Sequence, residues 1–194
     1  MGELKNELVK VLSVEQRLIC RTQYIYNRYK KDLCGQTFTT PLPEQVLFCP
    51  DNFPYLIHLQ ARDPNTGNFI EAKANKVIPL LDKGIFDDAD YCYGDPRRAR
   101  ELFNLPNLLL NPDYIFPNAR HGSKRNCGDV RGEHIYVVQS RNAKQIKVGL
   151  TLFDKRLDTS ILVSSFFTNW NWLNRCTNGA SCKYDKNNSP KKDK

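Results

Sequence analysis

Residues Gly132–Thr168 read GEHIYVVQSRNAKQIKVGLTLFDKRLDTSILVSSFFT, and the fold turns on them. Runs 133–140, 145–153 and 159–168 are dense in β-branched and aromatic residues and are parted by short polar breaks. That spacing predicts consecutive antiparallel strands. Upstream, Asp95 suits a helix N-cap with Pro96 at the first helical position, and the helix should run to about Leu110 before Asn111, Pro112 and Asp113 end it. YIF, 114–116, then starts a first sheet strand, and NARHGSKRNCGDVRG, 118–132, is a basic loop ahead of the meander. The fold expected is α+β, with helices preceding a small three- or four-stranded antiparallel sheet.

Outward from this block, Leu4, Leu8, Val11, Leu12, Leu18, Ile19, Tyr26 and Tyr29 recur at three- and four-residue spacings, predicting one long or two short helices over 3–31. Tyr24, Tyr26 and Tyr29, set among basic residues, either stack on bases or pack where the helix meets a domain. GQTFTTPLPEQ, 35–45, has the composition of a linker or sharp bend. Residues 55–62, YLIHLQAR, read as a short buried strand or helical turn, and FIEAKANKVIPLLDKG as a strand and helix stopped at Gly84. The division expected is a basic helical extension at 1–34, an α+β domain at 46–175 and a disordered basic tail at 183–194.

The chain has 194 residues, 40% of them hydrophobic and 11% aromatic, enough for a packed core. Its net charge of +8 is segregated. Residues 17–31 hold five cations and no acid, residues 119–147 seven cations against Asp129 and Glu133, and five acids gather in 82–95. Concentrated positive charge is what a phosphate-binding surface needs, and it is equally the composition of a solvated face. The seven cysteines are an odd, scattered set, and the charged N-terminus lacks an apolar signal segment. Reduced thiols in a cytoplasmic protein are expected, with no membrane span, metal or cofactor. No Walker, GxGxxG, HExxH or GxSxG motif occurs, which removes the commonest NTPase, dehydrogenase, metalloprotease and hydrolase classes.

The succession LFNLPNLLLNPDYIFPN, basic loop, HIYVVQS, KVGLTLF and ILVSSFFT resembles the phage-associated branch of the barnase–EndoU–colicin–RelE-like nucleases, over roughly 53–168. The resemblance implies an RNase-toxin-like domain: an endoribonuclease acting as a toxin or defence effector of a mobile element or its host, with RNA as substrate and a protein inhibitor or antitoxin as a further partner. It also implies a functional histidine ahead of the helix, where His58 stands.

RNA cleavage without a metal needs a base for the 2′-hydroxyl proton, an acid for the departing 5′-oxygen and a cation or donor for the charged transition state. Histidine titrates near neutrality, and the chain has His58, His121 and His134. His58 sits between Ile57 and Leu59, either as a core residue or as the acid/base group. His134 opens a strand and shares a face with Tyr136 and Val138. Lys147, Gly149, Thr151 and Phe153 share another strand's face, which is either a phosphate platform or plain solvent-facing surface. The catalytic set expected is His58, Arg62, Lys147, Thr151 and Ser165, with Arg120, His121, Lys124, Arg125 and Arg131 binding the nucleic acid. Two other classes stay open: a non-catalytic nucleic-acid-binding protein, and an interaction or inhibitor protein using its acidic stretch.

Overall fold

Ten strands in two sheets carry the fold of the computed structural model, which describes residues 14–119, 132–139 and 144–188, with side chains from residue 21 onward. The strands are β1 (Thr37–Thr39), β2 (Gln45–Leu47), β3 (Leu59–Arg62), β4 (Phe69–Glu71), β5 (Tyr91–Tyr93), β6 (Tyr114–Pro117), β7 (His134–Gln139), β8 (Ile146–Asp154), β9 (Thr159–Thr168) and β10 (Tyr184–Asp185). The helices are α1 (Val14–Asp32), α2 (Phe53–Leu56), α3 (Ala74–Asp82), α4 (Pro96–Glu101), α5 (Leu105–Leu110) and α6 (Trp170–Thr177).

The meander is where the sequence puts it, with β6 to β9 pairing antiparallel in chain order. The expected three- or four-stranded antiparallel, RNase-toxin-like sheet is nevertheless wrong. Strands β1 and β2 add to β9, with β2 parallel to it, and β10 adds to β6. The result is a curled, mixed seven-stranded sheet in the order β1-β2-β9-β8-β7-β6-β10. A second sheet has the order β4-β3-β5. The unexpected strands of the large sheet are two or three residues long, too short to show a two-residue alternation. Strand β1 and the start of β2 fall in the turn-rich 35–45 segment, and β10 falls at the start of the expected tail, of which 189–194 lie outside the described residues.

Both faces of the large sheet are buried. Ile115, Tyr136 and Leu162 join helices α1 to α5 in one core, while Ile135, Val137, Val148 and Leu150 pack with Leu173 and Cys176 of α6 on the other face. Gly149 lies under Leu108 of α5, and a Cβ there would stand 2.8 Å from Leu108 Cδ2. Helix α1 is a wall of the first core: Tyr26 and Tyr29 are fully buried, their rings 4.9 and 5.3 Å from Phe53. These two tyrosines are packing residues, and Tyr24 is the exposed one. Between α4 and α5, Leu102–Asn104 tightens into a 3-10 turn. Pro106 has no N–H to give the carbonyl of Leu102, and the single helix expected from Pro96 to Leu110 is instead two, α4 and α5. Among the described residues no helix is long and apolar enough to cross a membrane.

The acidic stretch is largely spent on the fold. Asp82 accepts from Tyr26 and Lys30, and Asp87 and Asp95 cap their helical turns. Asp88 is buried beside Thr22, whose hydroxyl also shares a hydrogen bond with Tyr93. Burial raises the Asp88 carboxyl to about 6 against the opposing hydrogen bonds from Thr22. A carboxyl whose folded value lies above its unfolded one favours folding when protonated. Its contribution is therefore full below about 4 and is lost as pH rises through 6. Asp88→Asn is expected to stabilise the protein at pH 7 by about 1–3 kcal/mol and to leave it nearly unchanged at pH 4. Denaturant melts at both values test this, and a loss of stability at pH 7 would show that the charged form is favoured.

Candidate functional site

One carboxylate gathers a set of polar side chains where β7 begins. Glu44 lies just ahead of β2, in the turn where Thr40 N–H donates to the Glu44 carbonyl at 2.9 Å. Its Oε2 accepts from the Tyr136 hydroxyl at 2.6 Å and stands 3.3 Å from His134 Nδ1. Its Oε1 accepts from Thr151 at 3.4 Å, and Ser160 is a further donor. The phenol of Tyr136 has a single proton, which it donates to the carboxylate in a hydrogen bond, so the Thr40 hydroxyl 3.1 Å away is left to donate to the phenol oxygen. The strand pattern explains the assembly. His134 and Tyr136 share a face at period two, and Thr151 is the register partner of His134.

Burial opposes the charge on Glu44, but the His134 ring nitrogen 3.3 Å away, close though not aligned for a hydrogen bond, and the hydrogen bonds from Ser160 and Tyr136 outweigh it and bring the carboxyl down to about 2. Burial and the adjacent carboxylate push the Tyr136 phenol up, so it remains protonated. The two groups differ in access. Tyr136 is wholly buried, whereas the His134 side chain is 23% exposed although its Nδ1 is covered. A fixed anion behind an imidazole holds the ring, and the outer part of the ring is left to meet solvent.

Glu44 stabilises the fold above its unfolded range, and that contribution is lost as pH falls from about 4.5 to 2. Glu44→Gln is expected to cost about 2–3 kcal/mol at pH 7 and to flatten this acid limb. An unchanged acid limb in urea melts between pH 2 and 5 would show that the carboxylate is not held as described.

The residues singled out from sequence do not converge. His58 follows α2 with a positive φ of 53°, and its ring lies against Gly94, where a Cβ would come within 2.5 Å of His58 Cε1. Burial, then the nearby Arg98 charge, lowers its pKa, so it is neutral at pH 7. Arg62 is exposed, with its guanidinium over Phe69. Lys147 pairs with Glu101 at 3.0 Å, and the Ser165 hydroxyl donates to the Val148 carbonyl. Thr151 alone of the five touches the Glu44 cluster. Lys147, Gly149 and Thr151 do share a face, but Leu108 covers its centre, so no open platform exists. The nucleic-acid-binding set, Arg120, His121, Lys124, Arg125 and Arg131, lies outside the described residues.

The base of that segment is described. Pro117 pairs with His134, Asn118 N–H donates to the Glu133 carbonyl at 2.7 Å, and the Asn118 side chain donates to Gly132. Asn118 and Gly132, the described residues flanking the basic sequence, therefore stand beside His134. Glu44, Tyr136, Thr40 and Ser160 were not singled out from sequence. The shared face of His134 and Tyr136 was a signal, but nothing in PLPEQ indicates that Glu44 will meet a strand some ninety residues on. Among the described residues no three His, Cys, Asp or Glu side chains form a group that could hold a metal ion. Comparison with protein-family models, with characterised proteins and with solved structures finds no match.

Proposed function

We propose that this protein cleaves RNA by general acid/base catalysis without a metal, with His134, backed by Glu44, as the proton-transferring group. The carrying observation is the pair itself: a half-open imidazole 3.3 Å from a carboxylate held ionised by hydrogen bonds from Ser160 and Tyr136 as well, at the root of a strand connection, 118–133, with four cations and two acids. The neutral imidazole takes the 2′-hydroxyl proton as the 2′-oxygen attacks phosphorus. The imidazolium, stabilised by Glu44, returns the proton as the bond to the 5′-oxygen breaks, leaving a 2′,3′-cyclic phosphate. A carboxyl near pH 2 is too weak a base to take that proton efficiently itself, so Glu44 positions and Tyr136 fixes Glu44. Cations in 120–131 supply the phosphate contacts in this reading. His58 is not assigned the role, because its ring packs on Gly94 and burial, then the Arg98 charge, disfavour the imidazolium that must return the proton.

Purified protein incubated with total RNA in excess chelator is expected to give fragments ending in 2′,3′-cyclic phosphate. Salt-sensitive binding without any cleavage would replace this reading with a non-catalytic nucleic-acid-binding protein.

A further inference from the structure

Two free, half-buried thiols, Cys34 and Cys49, flank the hairpin that carries Glu44. Helix α1 ends at Asp32, and Cys34 N–H donates back to the Tyr29 carbonyl at 2.9 Å. Gly35 then turns the chain with a φ of 79°, and its N–H donates to the Phe48 carbonyl at 3.0 Å. Phe48 N–H donates to the Gln36 carbonyl at 3.3 Å, so Gly35 and Gln36 together face Phe48 as a bulge beyond the Thr37–Leu47 pair. Cys34 and Cys49 are the next residue outward on each chain, opposite one another with no backbone bond between them. Antiparallel neighbours of that kind have Cα atoms about 4.5 Å apart, inside the roughly 4.4–6.8 Å that a disulfide spans.

Tyr29 ties the two together a second time. Its carbonyl takes the Cys34 N–H, and its hydroxyl donates to the Cys49 carbonyl at 2.7 Å. The side chains also act on each other: burial, then a charge on Cys34, raises the Cys49 thiol to about 11. Burial raises the Cys34 thiol too, but Lys30 opposes it there. Cys34 is therefore the first of the pair to attack an oxidant.

We propose that Cys34 and Cys49 are a redox modification site, joined reversibly by exchange with a small disulfide such as oxidised glutathione. The Cys34 thiolate attacks one sulfur of the small disulfide and releases one thiol. The Cys49 thiolate then attacks the Cys34 sulfur and releases the second. The two cysteines give up two protons and two electrons, and the small disulfide is reduced to two thiols. The loop so closed, 35–48, contains β1, Glu44 and β2, and the bond ties that hairpin to the end of α1. The site does not depend on the ribonuclease reading, and its test uses no RNA.

The full chain is incubated, folded, with oxidised glutathione, and its thiols are then blocked and mapped by mass spectrometry. No Lys or Arg lies between Asp32 and Ala61, so trypsin leaves both cysteines in one peptide, 32–62, and cleavage after Glu44 divides it. The fragments 32–44 and 45–62 are expected to stay joined until dithiothreitol is added. The thermal midpoint should rise by roughly 5–10 °C on oxidation, since the link restrains a loop of about 15 residues in the unfolded chain. Cys34→Ser and Cys49→Ser should each abolish both effects. A lasting mixed disulfide with glutathione at either position, a link to another cysteine, or a linked protein that melts no higher than the reduced one would overturn the assignment. The joined fragments and midpoint of the unmodified protein decide the case even where a variant fails to fold.

Discussion

Replacing His134 by alanine is expected to lower RNA cleavage by about 10²- to 10⁴-fold, the usual range for removing an acid/base group, while the protein stays folded. His134 is at the sheet rim and partly exposed, so its truncation opens no sealed cavity. Tyr136→Phe should act differently. It removes the 2.6 Å hydrogen bond to Glu44 and leaves the proton carrier in place. A smaller loss of about tenfold is expected, since a less constrained carboxylate positions the imidazole less well. His58→Ala should keep most of the activity. Rate measurements on the three variants separate the readings: full activity in His134→Ala, or loss only in His58→Ala, would remove the Glu44–His134 pair from the mechanism.

Tyr29→Ala is expected to cost about 3–5 kcal/mol of stability, the range for deleting a buried aromatic ring. Tyr29 is wholly buried between Phe48 and Phe53, and its hydroxyl donates to the Cys49 carbonyl at 2.7 Å. Tyr29→Phe keeps the ring and loses the hydrogen bond, for about 1 kcal/mol. If α1 were a detachable basic arm, Tyr29→Ala would instead weaken nucleic-acid binding and leave the denaturation midpoint alone.

What the sequence made legible was the part whose signals are long and local. The strands at 134–139, 146–154 and 159–168 each run six residues or more, so alternation and turn chemistry marked them. Asp95 and Pro96 announced α4 because capping is decided within four residues, and the Asp95 side chain does accept from Arg97 N–H. The sheet's size was hidden because β1, β2 and β10 owe their existence to the strands they join, not to their own pattern. The Glu44 cluster was hidden for a related reason. His134, Tyr136 and Thr151 follow from strand parity and hairpin alignment, but Glu44 arrives on a chain segment whose only visible property was its turn-forming prolines. His58 drew notice through its neighbours, Ile57 and Leu59, and its environment is the one that apolar neighbours produce.

The parallel seam between β2 and β9 also bears on how the molecule reaches its folded form. Gln45 and Thr159, bonded across it, are 114 residues apart in the chain, whereas β8 and β9 are joined by a short turn. Contacts that close such long loops form late, because their entropy is lost before they contribute binding energy. Strands β7 to β9 and α6, whose Trp172 stacks edge-on to Phe166, can assemble before the segment bearing Glu44 docks. In refolding from urea, tryptophan fluorescence should recover ahead of RNA cleavage, leaving an interval in which the sheet is built and the histidine still lacks its carboxylate.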